Sequence, residues 1–460
     1  MSTPDVSGTP GTPDSDLRRR LDDGRMSRAQ WTAVAVCVLL NVLDGFDVLV
    51  MAFTSDAVSG EWGLSGSQIG LLLSAGLAGM ALGSLFLAPL ADRIGRRSMI
   101  LVGLVLAATG MGLAAVSQSA LQLGMLRLLT GIGIGGILAS SNVVAAEYAN
   151  RRWRGLAVSL NSTGYAVGAT AGGVIAAVLQ SEGGWRPVFA FGAVATALLI
   201  PVVLWRLPES LAFLMTSGSP RALERANRVL GAMGQPPLDR LPEAEPGAAR
   251  PASGIARILS PGLRRNTLLT WTGFFLVMFG FYFVTSWTPK LLAEAGMSAT
   301  QGITGGVLLN LGGVFGTALL GLLAARFALR GVLVAYTVAT AFLLALFVPA
   351  LSVYGVVLAL GALIGVFVNG CVAGLYALTP SVYEPSVRAT GVGWGIGVGR
   401  IGAIVSPLAA GWLLDAGWTP GGLFLLVAGV LLLGGLTVRA FRLEGTEAGR
   451  GGAAVRAGGA

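Results

Sequence analysis

The chain has 460 residues, 54% of them hydrophobic and only 12% charged, about half the charged share of a soluble domain. That balance excludes a disordered, nucleic-acid-binding or ordinary soluble protein, and the net charge of +9 does not reverse it, because the charges gather in loops between long apolar runs. There is no histidine, and the two cysteines, Cys37 and Cys371, lie inside apolar runs; His triads, metal sites and a disulfide framework are therefore excluded, and no cofactor is expected.

A membrane-crossing helix needs roughly 20 apolar residues. The polar tail, 1–28, holds no apolar core, so no cleaved signal is expected there. The first run, about 30–55, is interrupted only by Asp44 and Asp47. The second, 66–91, carries no charge. The stretch 98–146 contains one charge, Arg127, and Ser117-Gln118-Ser119 divides it into two spans. Runs 155–181 and 187–205 complete a first bundle, 29–206. A segment rich in proline and arginine, 207–265, reads as a cytoplasmic linker. A short surface helix is expected in it from Arg221 to Met233, with Leu223, Val229, Leu230 and Met233 along the bilayer. Runs 266–289 and 295–325 follow. The uncharged stretch 331–383 is too long for one helix and is expected to break at Pro349 to Ser352. Runs 389–414, which contains Arg400, and 416–438 complete a second bundle, 266–442. Residues 1–26 and the tail 443–460 are expected to be disordered. The sum is an all-α polytopic membrane protein of twelve transmembrane helices in two pseudo-repeated six-helix bundles, both termini cytoplasmic.

The arginines set the orientation. With a cytoplasmic N-terminus, 27 of the 31 Lys and Arg fall in the tails and inner loops, and only Arg186 and Lys290 fall outside. The halves also echo one another. Gly184-Trp185-Arg186-Pro187 opens the sixth span and Gly417-Trp418-Thr419-Pro420 the twelfth, 233 positions later. The same offset sets Asp92-Arg93-Ile94-Gly95-Arg96-Arg97 against Ala325-Arg326-Phe327-Ala328-Leu329-Arg330. Two six-helix halves of parallel topology, with a site between them near the midplane, are a transporter architecture.

Ionisable groups inside a span are costly, and each is a functional hypothesis. Asp44 and Asp47 are three apart and share one helix face. Two carboxylates so close in a poorly hydrated site cannot both ionise cheaply, so one can take a proton from one side and release it on the other. Arg400 is always charged and needs an acid, a carbonyl or a bound anion beside it. A bidentate contact with a substrate carboxylate and a permanent pair with Asp44 or Asp47 are both open at this point. Arg127 precedes Gly131-Ile132-Gly133-Ile134-Gly135-Gly136, which spells a dinucleotide motif but sits in an apolar helix with no preceding strand. Asp92, Arg93, Arg96, Arg97, Glu147, Arg154, Glu384 and Arg388 gather at inner helix ends, where cross-loop pairs would hold the inner face shut. Aromatics crowd the seventh span; Tyr282 there, with Tyr165, Tyr376 and Trp394, is placed to sandwich a ring. Asn310 and Asn369 are buried amides suited to a ligand or to bridging helices.

On these residues the chain resembles the major facilitator superfamily along all twelve spans. Leu90-Ala91-Asp92-Arg93-Ile94-Gly95-Arg96-Arg97 is similar to its loop 2–3 signature, although Ala88 stands where that signature usually begins with Gly. Arg127 to Gly135 is similar to its span-four motif, and Pro208-Glu209-Ser210-Leu211-Ala212-Phe213-Leu214 to its end-of-span-six motif. Asp44-Gly45-Phe46-Asp47, and Arg388-Ala389-Thr390-Gly391 through Arg400, most resemble the aromatic acid:proton symporters. The resemblance implies uptake of benzoate-like anions with protons, and roles in transport for Asp44, Asp47, Asp92, Arg127, Glu147 and Arg400.

The expectation is a monomeric symporter of a bacterial inner membrane, importing a small aromatic carboxylate of benzoate or hydroxybenzoate type by alternating access. Asp44 and Asp47 would carry the proton. Arg400 or Arg127 would meet the carboxylate, with Tyr282, Tyr376, Trp394, Asn310 and Asn369 around the ring. No catalytic set is visible, so an enzyme is not expected. Symport of nicotinate or a polyol, and drug efflux, remain alternatives.

Overall fold

The computed structural model describes residues 20–217, 221–241, 254–384 and 387–441. Among them, twelve helices are long and apolar enough to cross a membrane. The first six are α1 (Arg28–Trp62), α2 (Gly66–Ile94), α3 (Arg96–Ala114), α4 (Ala120–Tyr148), α5 (Arg154–Gly183) and α6 (Arg186–Arg206). The second six are α7 (Arg264–Glu294), α8 (Ala299–Ala324), α9 (Leu329–Ala350), α10 (Tyr354–Leu378), α11 (Arg388–Asp415) and α12 (Pro420–Arg439). The long uncharged stretch does split beside Pro349, between α9 and α10.

Helix α1 is longer than its apolar run because both ends are specified locally. Ser27 and Gln30 form a reciprocal capping box at its start, and Gly63, at φ 62°, turns the chain left-handed at its end. The acids in its last turns do not stop it because each has a partner. Asp56 meets Lys290 at 2.8 Å, and Glu61 meets Arg186 at 2.8 Å.

The repeat runs deeper than the Gly-Trp motif. The offset of 233 also relates Gly63 to Gly296 (φ 62° and 97°) and the capping box Ser65/Gln68 to Ser298/Gln301. Gly184 and Gly417, the glycines of the two Gly-Trp motifs, have φ 73° and 85°. Each half thus turns from its first to its second helix, and from its fifth to its sixth, by the same local chemistry.

Within each half, glycines bring helices into backbone contact. Gly79 and Gly83 of α2 lie on α4 at Leu128 and Ile132, leaving no room for a Cβ. Gly312 and Gly316 of α8 lie on α10 at Ala362 and Val366 in the same way. Small residues at such crossings are the usual route to tight packing in lipid, where no hydrophobic effect draws helices together.

Two expectations are corrected. The linker helix exists, at Ala222–Ala232, but its apolar face is covered by protein. Ala222, Ala226 and Leu230 are buried, and Leu230 and Met233 join the main core beside Leu211. Its face packs on the short helix Leu211–Thr216 and is not free for the bilayer. Residues 20–26, expected to be disordered, are ordered by the loop after α4. Asn150 Nδ2 donates to the Gly24 carbonyl at 2.7 Å, Arg151 N donates to the Asp22 carbonyl, and Arg154 pairs with the Asp22 carboxylate. Residues 1–19 and 443–460 lie outside the described residues.

The halves meet along α2 and α11, α5 and α8, and α1 and α7. The α2–α11 seam is closed at one end. Gly66 packs on Gly411 and Gly70 on Pro407, and Ser74 Oγ donates to the Ile404 carbonyl at 2.7 Å. Asp415, the last residue of α11, accepts from the backbone N–H of Gly66 at 2.6 Å and of Ser67 at 2.9 Å. Gly173 meets Val307, and Gly306 meets Phe53, at the same end. Toward the loop 92–97 end the helices part. Gly393 and Gly397 of α11 face open space. On α2, Ser84, Leu85, Ala88 and Pro89 line a cavity of about 500 Å³ with Ala139, Ser140 and Val143 of α4.

Candidate binding site between the two halves

Helix α1 delivers two carboxylates to the interior, and they meet different fates. Asp47, 1% exposed, is held by Arg127 of α4, itself 2% exposed. Arg127 Nη1 lies 2.5 Å from the Asp47 carboxylate, and Nη2 donates to the Asp47 backbone carbonyl at 2.9 Å. Gly76 of α2 gives the guanidinium its room, since a Cβ there would lie 2.7 Å from Nη2. Asp44, one turn earlier and 4% exposed, has no hydrogen bond or ion pair among the described residues, and its Oδ1 is buried without a partner. The first half therefore neutralises one of its two acids and leaves the other open.

From the opposite half, Arg400 enters at the middle of α11, half-buried and also without a hydrogen bond or ion pair among the described residues. Its charge is felt at Asp44, at the Tyr282 phenol of α7 and at the Tyr376 phenol of α10. Tyr165 of α5 is coupled in turn to Asp44 and Tyr282, and its hydroxyl is buried without a partner. One acid, one cation and three phenols, from five helices, thus lie near one another. The local reason on α1 and α5 is Gly45, beside Asp44, whose missing Cβ lets the α1 backbone rest on the Tyr165 carbonyl. On α11, Gly395 and Gly399 lie against Phe274 of α7 and set the depth of Arg400.

The aromatics form a partial wall. Trp394, 46% exposed, stacks at a tilt on Trp271 at 5.9 Å. Tyr376, 41% exposed, meets Phe274 edge-on at 5.6 Å, and Tyr282 meets Phe281 edge-on at 5.1 Å. The amides behave differently. Asn310 Nδ2 donates to the Gly306 carbonyl and Asn369 Nδ2 to the Gly365 carbonyl, each on its own helix, and Asn369 packs on Gly313. The structure does not join either to the Asp44–Arg400 group. Asn41, Asn161 and Asn142 form a hydrogen-bonded chain across α1, α5 and α4.

The charges at the loop 92–97 end pair within the first half and do not cross to the second. Arg96 binds Glu147 at 2.5 Å and Asp92 at 3.6 Å, and Glu147 also accepts from Ser210 Oγ at 2.6 Å. Arg97 N donates to Glu209, and an Arg97 guanidinium N–H donates to the Leu204 carbonyl. In the second half Glu384 lies 3.8 Å from Arg257 of the linker. Arg93 and Arg388 are exposed, with no ion pair among the described residues. This network ties α2, α3, α4 and the end of α6 into one unit.

Sequence reasoning placed Arg127 near the cargo and did not foresee its pairing with Asp47. Spacing along the chain cannot relate α1 to α4. It also passed over Asp415 and Lys290, both of which bridge the halves at the closed end.

Two six-helix halves with charged groups between them are a transporter architecture, and residues 34–348 match the model of the Major Facilitator Superfamily. The chain belongs to that superfamily. It is 32% identical over 412 residues to a gallate transporter of Pseudomonas putida, spanning 87% of this chain and 89% of that protein. It is 33% identical over 410 residues to the 4-hydroxybenzoate transporter PcaK of the same organism, spanning 88% and 90%. Among solved structures it superposes on the xylose transporter XylE from E. coli with a TM-score of 0.70 at 18% identity, over 91% of this chain and 98% of that one.

Proposed function

We propose that this transporter imports a small aromatic carboxylate, of benzoate or hydroxybenzoate type, together with protons across a bacterial inner membrane. The observation that carries the reading is the open pair: Asp44 from one half and Arg400 from the other lie near one another, neither with a hydrogen bond or ion pair among the described residues. Arg400 binds the carboxylate, and Asp44 takes the proton. Asp47, bound by Arg127, serves to hold α1 on α4. Gallate and 4-hydroxybenzoate, for which the relatives are named, are ring acids, and the Tyr282 and Tyr376 rings lie near Arg400.

Coupling follows from charge. With the site empty, the positive Arg400 attracts a negative charge at Asp44. An anion bound at Arg400 cancels that influence and makes proton binding at Asp44 more favourable. Linkage requires the converse, so a proton on Asp44 also favours the anion. One elementary charge moved across 100 mV is worth about 2.3 kcal/mol, so protons drawn inward offset the expulsion of the anion by an inside-negative potential. The arginine bias places loop 92–97 and both termini in the cytoplasm. The conformation described is then open inward and closed outward by the α2–α11 seam. Alternating access requires that seam to part while the parted end of α2 and α11 closes.

The test is uptake of labelled 4-hydroxybenzoate and benzoate into proteoliposomes, with and without an acid-outside pH gradient. Accumulation driven by the gradient in the wild type, and its loss in Asp44→Asn, is the expected result. Equal uptake with and without the gradient in the wild type rejects the proton-coupled reading.

A further inference from the structure

We propose that Tyr165 is a specificity-determining residue which, with Asp44, recognises a hydroxyl on the ring of the transported acid; this rests on the function proposed above. Two buried polar atoms from facing helices lack partners here: the Tyr165 hydroxyl on α5 and Asp44 Oδ1 on α1. The two residues are electrostatically coupled, yet no hydrogen bond joins them. Their helices are fixed against each other by the contact of Gly45 with the Tyr165 carbonyl and of Gly168 with the Val42 carbonyl, so neither can easily retreat.

Buried polar groups without partners are uncommon and costly, and in a binding site they mark where a ligand's polar atom belongs. Their chemistry fixes what that atom is. The Asp44 carboxyl keeps an accepting oxygen whether or not it carries a proton, and the Tyr165 phenol can donate. A ligand hydroxyl serves both, donating to Asp44 and accepting from Tyr165. A second carboxylate does not, because it has no proton to donate to Asp44. With Arg400 on the second half taking the ligand's own carboxylate, the site reads as bipolar. It fits a ring with an acid at one end and a hydroxyl at the other. An unsubstituted ring acid would satisfy Arg400 but strand Asp44 and Tyr165. A site built to hydrogen-bond a substrate hydroxyl rejects the analogue that lacks it far more strongly than an apolar pocket does.

The test is equilibrium binding of 4-hydroxybenzoate, benzoate and 4-methoxybenzoate to the purified full chain in nanodiscs, wild type against Tyr165→Phe. The wild type should prefer 4-hydroxybenzoate over the other two by about tenfold or more, because the methoxy oxygen cannot donate to Asp44. Tyr165→Phe removes one oxygen that has no partner among the described residues, so the readout is the ratio of affinities and not benzoate affinity by itself. The preference for the hydroxyl should then shrink to about threefold or less. An unchanged preference in Tyr165→Phe, or equal wild-type affinity for the hydroxy and methoxy acids, overturns the proposal and leaves the transport reading intact. Equal weakening of all three acids in Tyr165→Phe assigns the residue a packing role and also overturns it. A wild type that binds none of the three overturns both.

Discussion

Arg127 grips Asp47 twice, through the carboxylate at 2.5 Å and through the backbone carbonyl at 2.9 Å, and so pins the middle of α1 to α4. Both side chains are almost wholly buried. Removing one member of such a pair strands the other charge in a poorly solvated interior, at about 3–5 kcal/mol. Arg127→Ala and Asp47→Asn are each expected to lower the melting temperature in detergent and to reduce transport. The double variant Asp47→Asn/Arg127→Gln should be more stable than either single one. Additive losses in that cycle would mean that the pair contributes nothing as a pair.

Asp44 offers the contrast, since it has no bond to lose. Asp44→Asn should therefore fold and melt like the wild type, or slightly above it. Its transport should no longer respond to a pH gradient, while exchange of internal for external substrate continues. Net uptake from pH 5 to pH 8 should be flat in the variant and fall with rising external pH in the wild type. A variant that retains the wild-type pH profile would remove Asp44 from the coupling step.

Arg400→Ala should weaken binding of ring acids by about 10- to 100-fold, the usual span for losing hydrogen bonds to a charged group. Arg400→Lys keeps the charge but not the planar fork, so it should recover part of the affinity. Titration calorimetry on the purified protein measures both. Equal affinity in the wild type and Arg400→Ala would place the carboxylate elsewhere.

The closed end of the α2–α11 seam depends on Asp415, which caps the first two residues of α2 across the gap between the halves. A carboxylate at a helix N-terminus satisfies free N–H groups and favours the positive end of the dipole. Asp415→Asn should release that end part of the time. Ser74, 2% exposed beneath the cap and bonded to the Ile404 carbonyl, reports it. In a Ser74→Cys background, labelling by an impermeant maleimide added from that face should rise several-fold with Asp415→Asn. The native Cys37 and Cys371, both fully buried, should stay silent. No change in labelling would assign the latch to Lys290 and Asp56 instead.

What the linear chain disclosed follows the length scale of the signal. Span count came from apolar runs, and the break beside Pro349 from the excess length of one run. The repeat was visible in Gly184-Trp185 and Gly417-Trp418, although the matching Gly63-Leu64-Ser65 and Gly296-Met297-Ser298 turns were passed over. Asp44 and Arg400 stood out because charge inside an apolar run is conspicuous. Their separation into an open pair, with Arg127 claimed by Asp47, depends on which faces of α1, α4 and α11 turn toward each other, and period alone does not give that. The linker helix was placed on the bilayer because its apolar face was legible and the covering helix Leu211–Thr216 was not. The cross-loop charges were expected to hold the inner face shut while the outer face is open; in the conformation described, Arg96, Asp92 and Glu147 pair within one half.

Because the acid comes from α1 and the arginine from α11, neither bundle owns a complete recognition surface. Neither half by itself would be able to recognise the cargo. Swapping one bundle for that of a relative with different cargo would recombine the acidic pole of one lineage with the cationic pole of another. New cargo preferences are thus reachable by shuffling whole halves, with the repeated turns serving as compatible joints.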